Sequence, residues 1–278
     1  MKFSPTVFTA VFLLSAAGCP NSAGRPAAPR PRMIPFSPAL TRIVFDLGLG
    51  DHVVGVSEYA SPPDGRRLPV VGNAQAVRTE PILALEPDVI LTQSDPRNYE
   101  TLRRLRPGLK IEHFRIETLE DIADATARIG QIVGRDDLGK AKAEAFRRRL
   151  AHVRETTKSL PTRRVLFVMD YQNPFAAGGG IFLDEMIRLA GGVNVLADVR
   201  GWHTPSVESI LSAKPEVIVC QCKPSQADEA KRYWSKLFAQ SGLAVRVCIV
   251  TDDAWTIPAG HLAGYTEELA KRIHPEEE

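Results

Sequence analysis

Two stretches of this chain nearly repeat one another. Residues 80–93 read Glu-Pro-Ile-Leu-Ala-Leu-Glu-Pro-Asp-Val-Ile-Leu-Thr-Gln, and residues 208–221 read Glu-Ser-Ile-Leu-Ser-Ala-Lys-Pro-Glu-Val-Ile-Val-Cys-Gln. Aligned, they share the leading Glu, Ile-Leu, Pro, Val-Ile and the closing Gln, with Asp88 set against Glu216. Each copy predicts a short helix that stops at a Pro, followed by a buried strand. Two copies imply two similar lobes, and two lobes imply a cleft between them. Glu80 and Glu208 then open the two copies at matching places.

The rest of the chain fits that plan. From Met33 onward strands and helices alternate, the signature of α/β layers. The first lobe reads as strands at Met33–Phe36, Val53–Ser57, Val89–Thr92 and Lys110–His113, with helices at Pro38–Leu47, Thr79–Leu85, Tyr99–Leu105 and Thr118–Val133. The second reads as strands at Arg164–Met169, Val217–Gln221 and Val245–Val250, with helices at Phe182–Ala190, Val207–Ser212, Glu229–Leu237 and Ala259–Ile273. Between them Asp136–Ser159 has the pattern of one long helix, with an apolar stripe at Leu138, Ala141, Ala145, Leu150 and Val153. Such a helix spans roughly 35 Å and could bridge the lobes as a stiff strut. The expected organisation is an N-terminal lobe at 33–134, a connecting helix at 135–160 and a C-terminal lobe at 161–278.

The first 32 residues stand apart. Lys2 precedes the apolar run Val7–Leu14 and the small residues Ser15-Ala16-Ala17-Gly18-Cys19. The run is too short to span a bilayer, which takes about 20 residues. It fits a secretory signal over residues 1–19. Ala16-Ala17-Gly18-Cys19 also resembles a bacterial lipobox, which makes Cys19 the expected lipid attachment point; ordinary cleavage is the alternative. Residues 20–32, rich in Pro, form an expected extended tether. This segment holds four bases and no acid, leaving 31 bases against 33 acids in the remainder. A near-neutral body lacks the basic face of a nucleic-acid binder.

Few residues offer chemistry of their own. No phosphate-binding loop, Gly-x-Ser-x-Gly elbow or His-Glu-x-x-His motif occurs. These absences weigh against an exported two-lobed enzyme, the reading from a different class. Gly48-Leu49-Gly50 follows a helix and reads as its C-cap and turn. Gly178-Gly179-Gly180 is either a flexible loop or a place where backbone N–H groups meet an anion. Cys220 and Cys222 alternate on one strand face and read as buried small hydrophobes, with a disulfide to Cys248 open if the strands neighbour. Tyr59, Tyr171, Phe175, Trp202 and Trp255 fall just after predicted strands or between elements. Ligands of α/β sheets bind beyond the carboxyl ends of strands, so these aromatics are candidates to line the cleft. His203, beside Trp202, is a candidate ligand residue.

The chain from Arg32 to Ile273 resembles the periplasmic substrate-binding proteins of ABC importers for iron-siderophores, haem and cobalamin. The resemblance rests on Phe36-Ser37-Pro38-Ala39-Leu40-Thr41, Leu47-Gly48-Leu49-Gly50-Asp51, Val54-Gly55-Val56, Leu68-Pro69-Val70-Val71-Gly72, Ile82–Ile90 and Ala190-Gly191-Gly192-Val193-Asn194. It implies two α/β lobes joined by one long helix, with a ligand between them and no catalysis. Asn173-Pro174-Phe175, Trp202, Tyr233-Trp234 and Thr251-Asp252 are most similar to the cobalamin-binding branch, in which Tyr59, Trp202 and Phe175 match aromatics around the corrin ring. Ala74, six before Glu80, departs from that branch's Trp, whereas Trp202 stands six before Glu208; Gln93 departs from an aromatic. Haem or a ferric siderophore therefore stays open as the ligand. The resemblance also implies that Glu80 and Glu208 dock onto arginines of the two permease subunits, that a cytoplasmic ATPase drives the permease, and that the protein works outside the cytoplasmic membrane. No resident cofactor or metal is expected; the corrinoid or iron chelate is cargo.

Overall fold

The computed structural model describes Met1, residues 31–74 and residues 76–275 of the 278-residue chain. Both sheets lie in the unit that begins at Pro31. The expected signal, Cys19 and most of the tether lie outside the described residues.

The first lobe runs β1 (Met33–Pro35), α1 (Pro38–Asp46), α2 (Thr79–Ala84), β2 (Val89–Thr92), α3 (Glu100–Leu105), β3 (Lys110–His113) and α4 (Leu119–Ile132). Its sheet is parallel in the order β1-β2-β3, with Met33 opposite Val89 and Val89 opposite Lys110. The connector α5 (Asp136–Thr157) follows. The second lobe runs β4 (Arg163–Met169), β5 (Phe175–Ala177), α6 (Phe182–Leu189), β6 (Gly192–Asn194), β7 (Trp202–His203), α7 (Val207–Ser212), β8 (Val217–Gln221), α8 (Ala227–Gln240), β9 (Arg246–Val250) and α9 (Leu262–Ile273). Here β4-β8-β9 repeats the parallel core, and the antiparallel strands β5 and β7 extend its edge.

The sequence repeat is a structural repeat down to its hydrogen bonds. At the start of β1 the Arg32 amide donates to the Asp88 carboxylate at 2.7 Å, and the Arg32 guanidinium holds the Leu85 carbonyl at the end of α2 at 2.9 Å. At the start of β4 the Arg164 amide donates to the Glu216 carboxylate at 2.8 Å, and the Arg164 guanidinium holds the Ala213 carbonyl at the end of α7 at 2.6 Å. Glu86 and Lys214, each just before its Pro, turn the chain out of the helix with φ of 44° and 46°. The arginines thus satisfy carbonyls that a helix end leaves unpaired. The bond from the Arg164 amide also holds the Glu216 carboxyl below its ordinary pKa.

Two departures from expectation trace to glycines packed tightly against a neighbour. Val53–Ser57 is not a strand: Val53 bridges Met33, and Val56 bridges Val70. The segment changes partner at Gly55, where an added Cβ would meet Leu85 at 2.7 Å. The buried face of α5 is Gly139, Ala143, Phe146, Leu150, Val153 and Thr157, and Ala141 is exposed. Gly139 lies against Gly130 of α4, where an added Cβ would fall 2.8 Å from the Ala127 carbonyl. That close crossing sets which side of α5 is buried, and a count of apolar residues passes over Gly139. Cys220, Cys222 and Cys248 are all free thiols. β8 and β9 do neighbour, but Cys248 stands opposite Val219, hence on the other face from Cys220 and Cys222. Burial pushes the Cys220 thiol up to about 12, so it stays protonated.

The strut α5 is fastened at both sides. Arg147 pairs with Glu120 and with Asp124 of α4, the latter at 2.8 Å, while Arg149 pairs with Glu267 of α9 at 2.8 Å. Two further bonds cross directly between lobes. The Phe182 amide donates to the Glu117 carbonyl at 2.7 Å, and the Leu119 amide donates to the Glu185 carboxylate at 2.7 Å. Glu185 of the second lobe therefore caps the first turn of α4, beside the Thr118–Asp121 capping box.

Candidate functional site

The turns beyond β3 and the β5–β7 edge of the second sheet approach one another at those crossing bonds. A pocket of about 370 Å³ opens there. Ile116 and Glu117 line it from the first lobe; Gly180, Ile181, Arg200 and Trp202 line it from the second. Its volume is within the range of small-molecule sites. A larger groove of about 1170 Å³ runs between α5 and α9, but it includes Arg163 and Arg246, at the amino ends of β4 and β9. Ligands of parallel sheets bind at the opposite, carboxyl ends, so the interlobe pocket is the candidate site.

Trp202 lines the pocket, and Phe175 backs it from outside the lining. Phe175 and Trp202 stack with ring centroids 5.3 Å apart and planes 10° from parallel. Both stand on short paired strands rather than in loops: Phe175 opposes Met169 at the carboxyl end of β4, and Trp202 opposes Ala177. Phe175 is 38% exposed. His203 opposes Ala176, is half-buried, and has a buried Nδ1 without a hydrogen-bond partner among the described residues. The strands of this edge are two and three residues long, which is why sequence patterning reads them as loops.

The triple glycine is neither a loose loop nor an anion cradle. The Gly178 and Gly179 amides donate to the Gly201 and Val199 carbonyls, both at 2.8 Å. A Cβ on Gly178 would fall 2.0 Å from the Val199 carbonyl. These glycines let two backbones touch, and that contact fixes Arg200, Gly201 and Trp202 along the pocket.

The remaining candidates separate. Tyr59, at φ 67° and 81% exposed, projects from the first lobe in the turn whose next residue, Ala60, bonds back to Ser57; it is not among the residues lining the pocket. Ala74 is exposed on the nearby loop that Asn73 ties to Glu58 at 2.8 Å. Tyr171 and Trp255 do not line the site. Tyr171 is 3% exposed and packs on Tyr233 at 5.6 Å; Trp255 is 2% exposed, packed on Phe167 and edge-on to Tyr265 at 4.7 Å. Both follow strands, as expected of site residues, yet each is turned into the core, because a large apolar ring gains more from burial than from solvent. Arg200 and Ile181 are lining residues that the sequence reading passed over.

Glu80 and Glu208 are exposed in the first turns of α2 and α7. Bonding to its own amide and to Ser206 holds the Glu208 carboxyl below its ordinary pKa. It is ionised at neutral pH, and so available to a cationic partner.

Comparison with known proteins bears on this geometry. The model of the periplasmic binding protein family matches residues 35–244. The vitamin B12-binding protein of Yersinia pestis (strain Pestoides F) is 30% identical over 212 residues, 75% of this chain and 76% of that protein. The solved structure of the periplasmic vitamin B12-binding protein BtuF of Vibrio cholerae superposes with a TM-score of 0.74 at 28% identity, covering 88% of this chain and 97% of that one. A periplasmic haem-binding protein of Pseudomonas aeruginosa superposes with a TM-score of 0.75 at 21% identity, covering 90% and 94%, and so shares the fold. With its two α/β lobes, long connecting helix and interlobe pocket, the chain belongs to the periplasmic binding protein family.

Proposed function

We propose that the protein captures cobalamin, or a closely similar planar metal chelate, between its lobes and delivers it to an ABC permease dimer driven by a cytoplasmic ATPase. The observation that carries this reading is the Phe175–Trp202 stack, held on paired strands beside the interlobe pocket. A preformed flat apolar surface costs little ordering when a ring system lies against it. Cobalamin comes first because the relatives at 28% and 30% identity are vitamin B12-binding proteins. Haem is the second reading, favoured by the half-buried His203 imidazole next to Trp202. The role is capture without turnover.

Delivery needs little internal motion. The Phe182–Glu117 and Leu119–Glu185 bonds cross at the pocket, and α5 is ion-paired to helices on either side. Closure is therefore a small rocking of the lobes in place of a wide hinge. Glu80 and Glu208, at matching positions of the repeat in each lobe, offer a pair of carboxylates to basic sites on two permease subunits; such exposed charges steer encounter and fix register. Cys19 carries the lipid that keeps the protein at the outer face of the membrane, which mass spectrometry of the membrane fraction tests.

Gel filtration with absorbance detection, after incubation with cyanocobalamin, haemin or a ferric siderophore, tests the cargo. Co-elution of the cobalamin spectrum with the protein is the expected result. Exclusive co-elution of haem would move the assignment to the second reading.

A further inference from the structure

Arg200 is the unpaired charge of the pocket. It is exposed, lines the pocket beside Trp202, and its guanidinium lies 3.6 Å from where a Cβ on Gly180 would stand. Its side chain makes no hydrogen bond or ion pair among the described residues. Asp198 makes no ion pair with it among the described residues, and two other acids nearby are already engaged. Glu117, on the facing wall, pairs with Arg115 at 2.6 Å, and Asp184 accepts the Gly180 amide at 3.3 Å. The stem of Arg200, by contrast, is fixed. The Gly179 amide bonds to Val199 at 2.8 Å, the Gly201 amide bonds to Gly179 at 3.0 Å, and Gly179 bridges Arg200 itself. A lone guanidinium is thus mounted on rigid backbone beside Trp202.

We infer that Arg200 determines specificity by binding an anionic arm, phosphodiester or carboxylate, on a chelate whose ring lies against Trp202 and Phe175. The inference rests on the cleft reading above and adds the ligand's charge to it. A planar guanidinium can grip two oxygens of either anion at once, which an ammonium cannot. With no acid competing for it, the fork meets an incoming anion without first breaking an ion pair. The ring would then supply contact area and the arm would supply orientation.

Two matched pairs of probes test this on the full chain. Cyanocobalamin is compared with dicyanocobinamide, which has the corrin but no phosphodiester. Haemin is compared with its dimethyl ester, which has the porphyrin but no free carboxylates. The wild type is expected to prefer the anionic member of at least one pair by about tenfold, the loss typical of a charge-assisted hydrogen bond. A preference within the corrin pair that Arg200→Gln erases assigns the phosphodiester of the missing nucleotide; one within the porphyrin pair that it erases assigns the carboxylates. Arg200→Gln should erase that preference by weakening the anionic member about tenfold more than the neutral one, and Arg200→Lys should restore part of it. Equal weakening of both members by Arg200→Gln would make Arg200 a packing residue and overturn the inference, as would a preference that survives the substitution. If the wild type bound none of the four probes, the cleft reading would fall first and this inference with it.

Discussion

The two copies of the repeat are the same in what holds them up and different in what they present. Both use the acid just before a strand to take an arginine amide, and both use that arginine to close a helix end. Both bury the Ile of the helix completely and leave the Glu two residues earlier exposed. Yet α7 is capped by Ser206, whose hydroxyl accepts the Ser209 amide at 3.2 Å, while Arg78 leaves α2 without a side-chain cap. Six residues before the glutamates, one copy has exposed Ala74 and the other Trp202 in its stack. On the function proposed above, the shared parts make a lobe and a docking point, and the unequal parts put most of the ligand's grip on the second lobe.

The largest expected effect breaks what the copies share. Glu80→Ala with Glu208→Ala should leave ligand binding intact and abolish uptake in cells; normal uptake would remove the docking role. The next breaks what they do not share. Trp202→Ala should weaken cobalamin binding by about 1 kcal/mol or more beyond the lost contact area, while Ala74→Trp, which restores symmetry, should tighten it by a smaller amount. Unchanged affinity in the Trp202 variant would take that residue out of the site. Smaller still is the difference in caps. Ser206→Ala should cost about 1 kcal/mol in urea unfolding, and Arg78→Ser should gain a similar or lesser amount; equal responses of opposite copies to Ala would contradict the difference seen at the two helix starts.

A final contrast concerns pH. Burial lowers the pKa of His261, whose Nε2 meets the Ala254 carbonyl at 2.8 Å, and of His274; both belong to the second lobe. The unfolded chain then binds more protons than the folded one once pH falls below about 6.5. Stability is complete above that value and is lost below it. The melting temperature should fall between pH 7 and pH 5, and His261→Gln should flatten the slope; an unaltered slope would show that His261 does not carry it.

Much of this architecture is legible in the residues. The repeat predicts both helix–strand units, and the alternation predicts the parallel cores, because periodicity reports which face is buried. The long helix is legible too, but its buried face is not, since Gly139 packs by lacking a side chain. The site is legible only in part. Trp202 and Phe175 stand out by their place, but Trp255 and Tyr171 occupy equally suggestive places and belong to the core. Position along the chain tells that an aromatic follows a strand, and only packing tells which way it turns. Arg200 carries no local signal, because the role proposed for it rests on its having no partner among the described residues, and that is a property of the folded surroundings.

The central claim is that the two lobes hold one corrinoid between them. Titration calorimetry of the purified protein with cyanocobalamin measures it directly. Saturable heat at one ligand per chain is expected, lost or strongly weakened in Trp202→Ala. A folded wild-type protein that gives no binding heat with cyanocobalamin would contradict it.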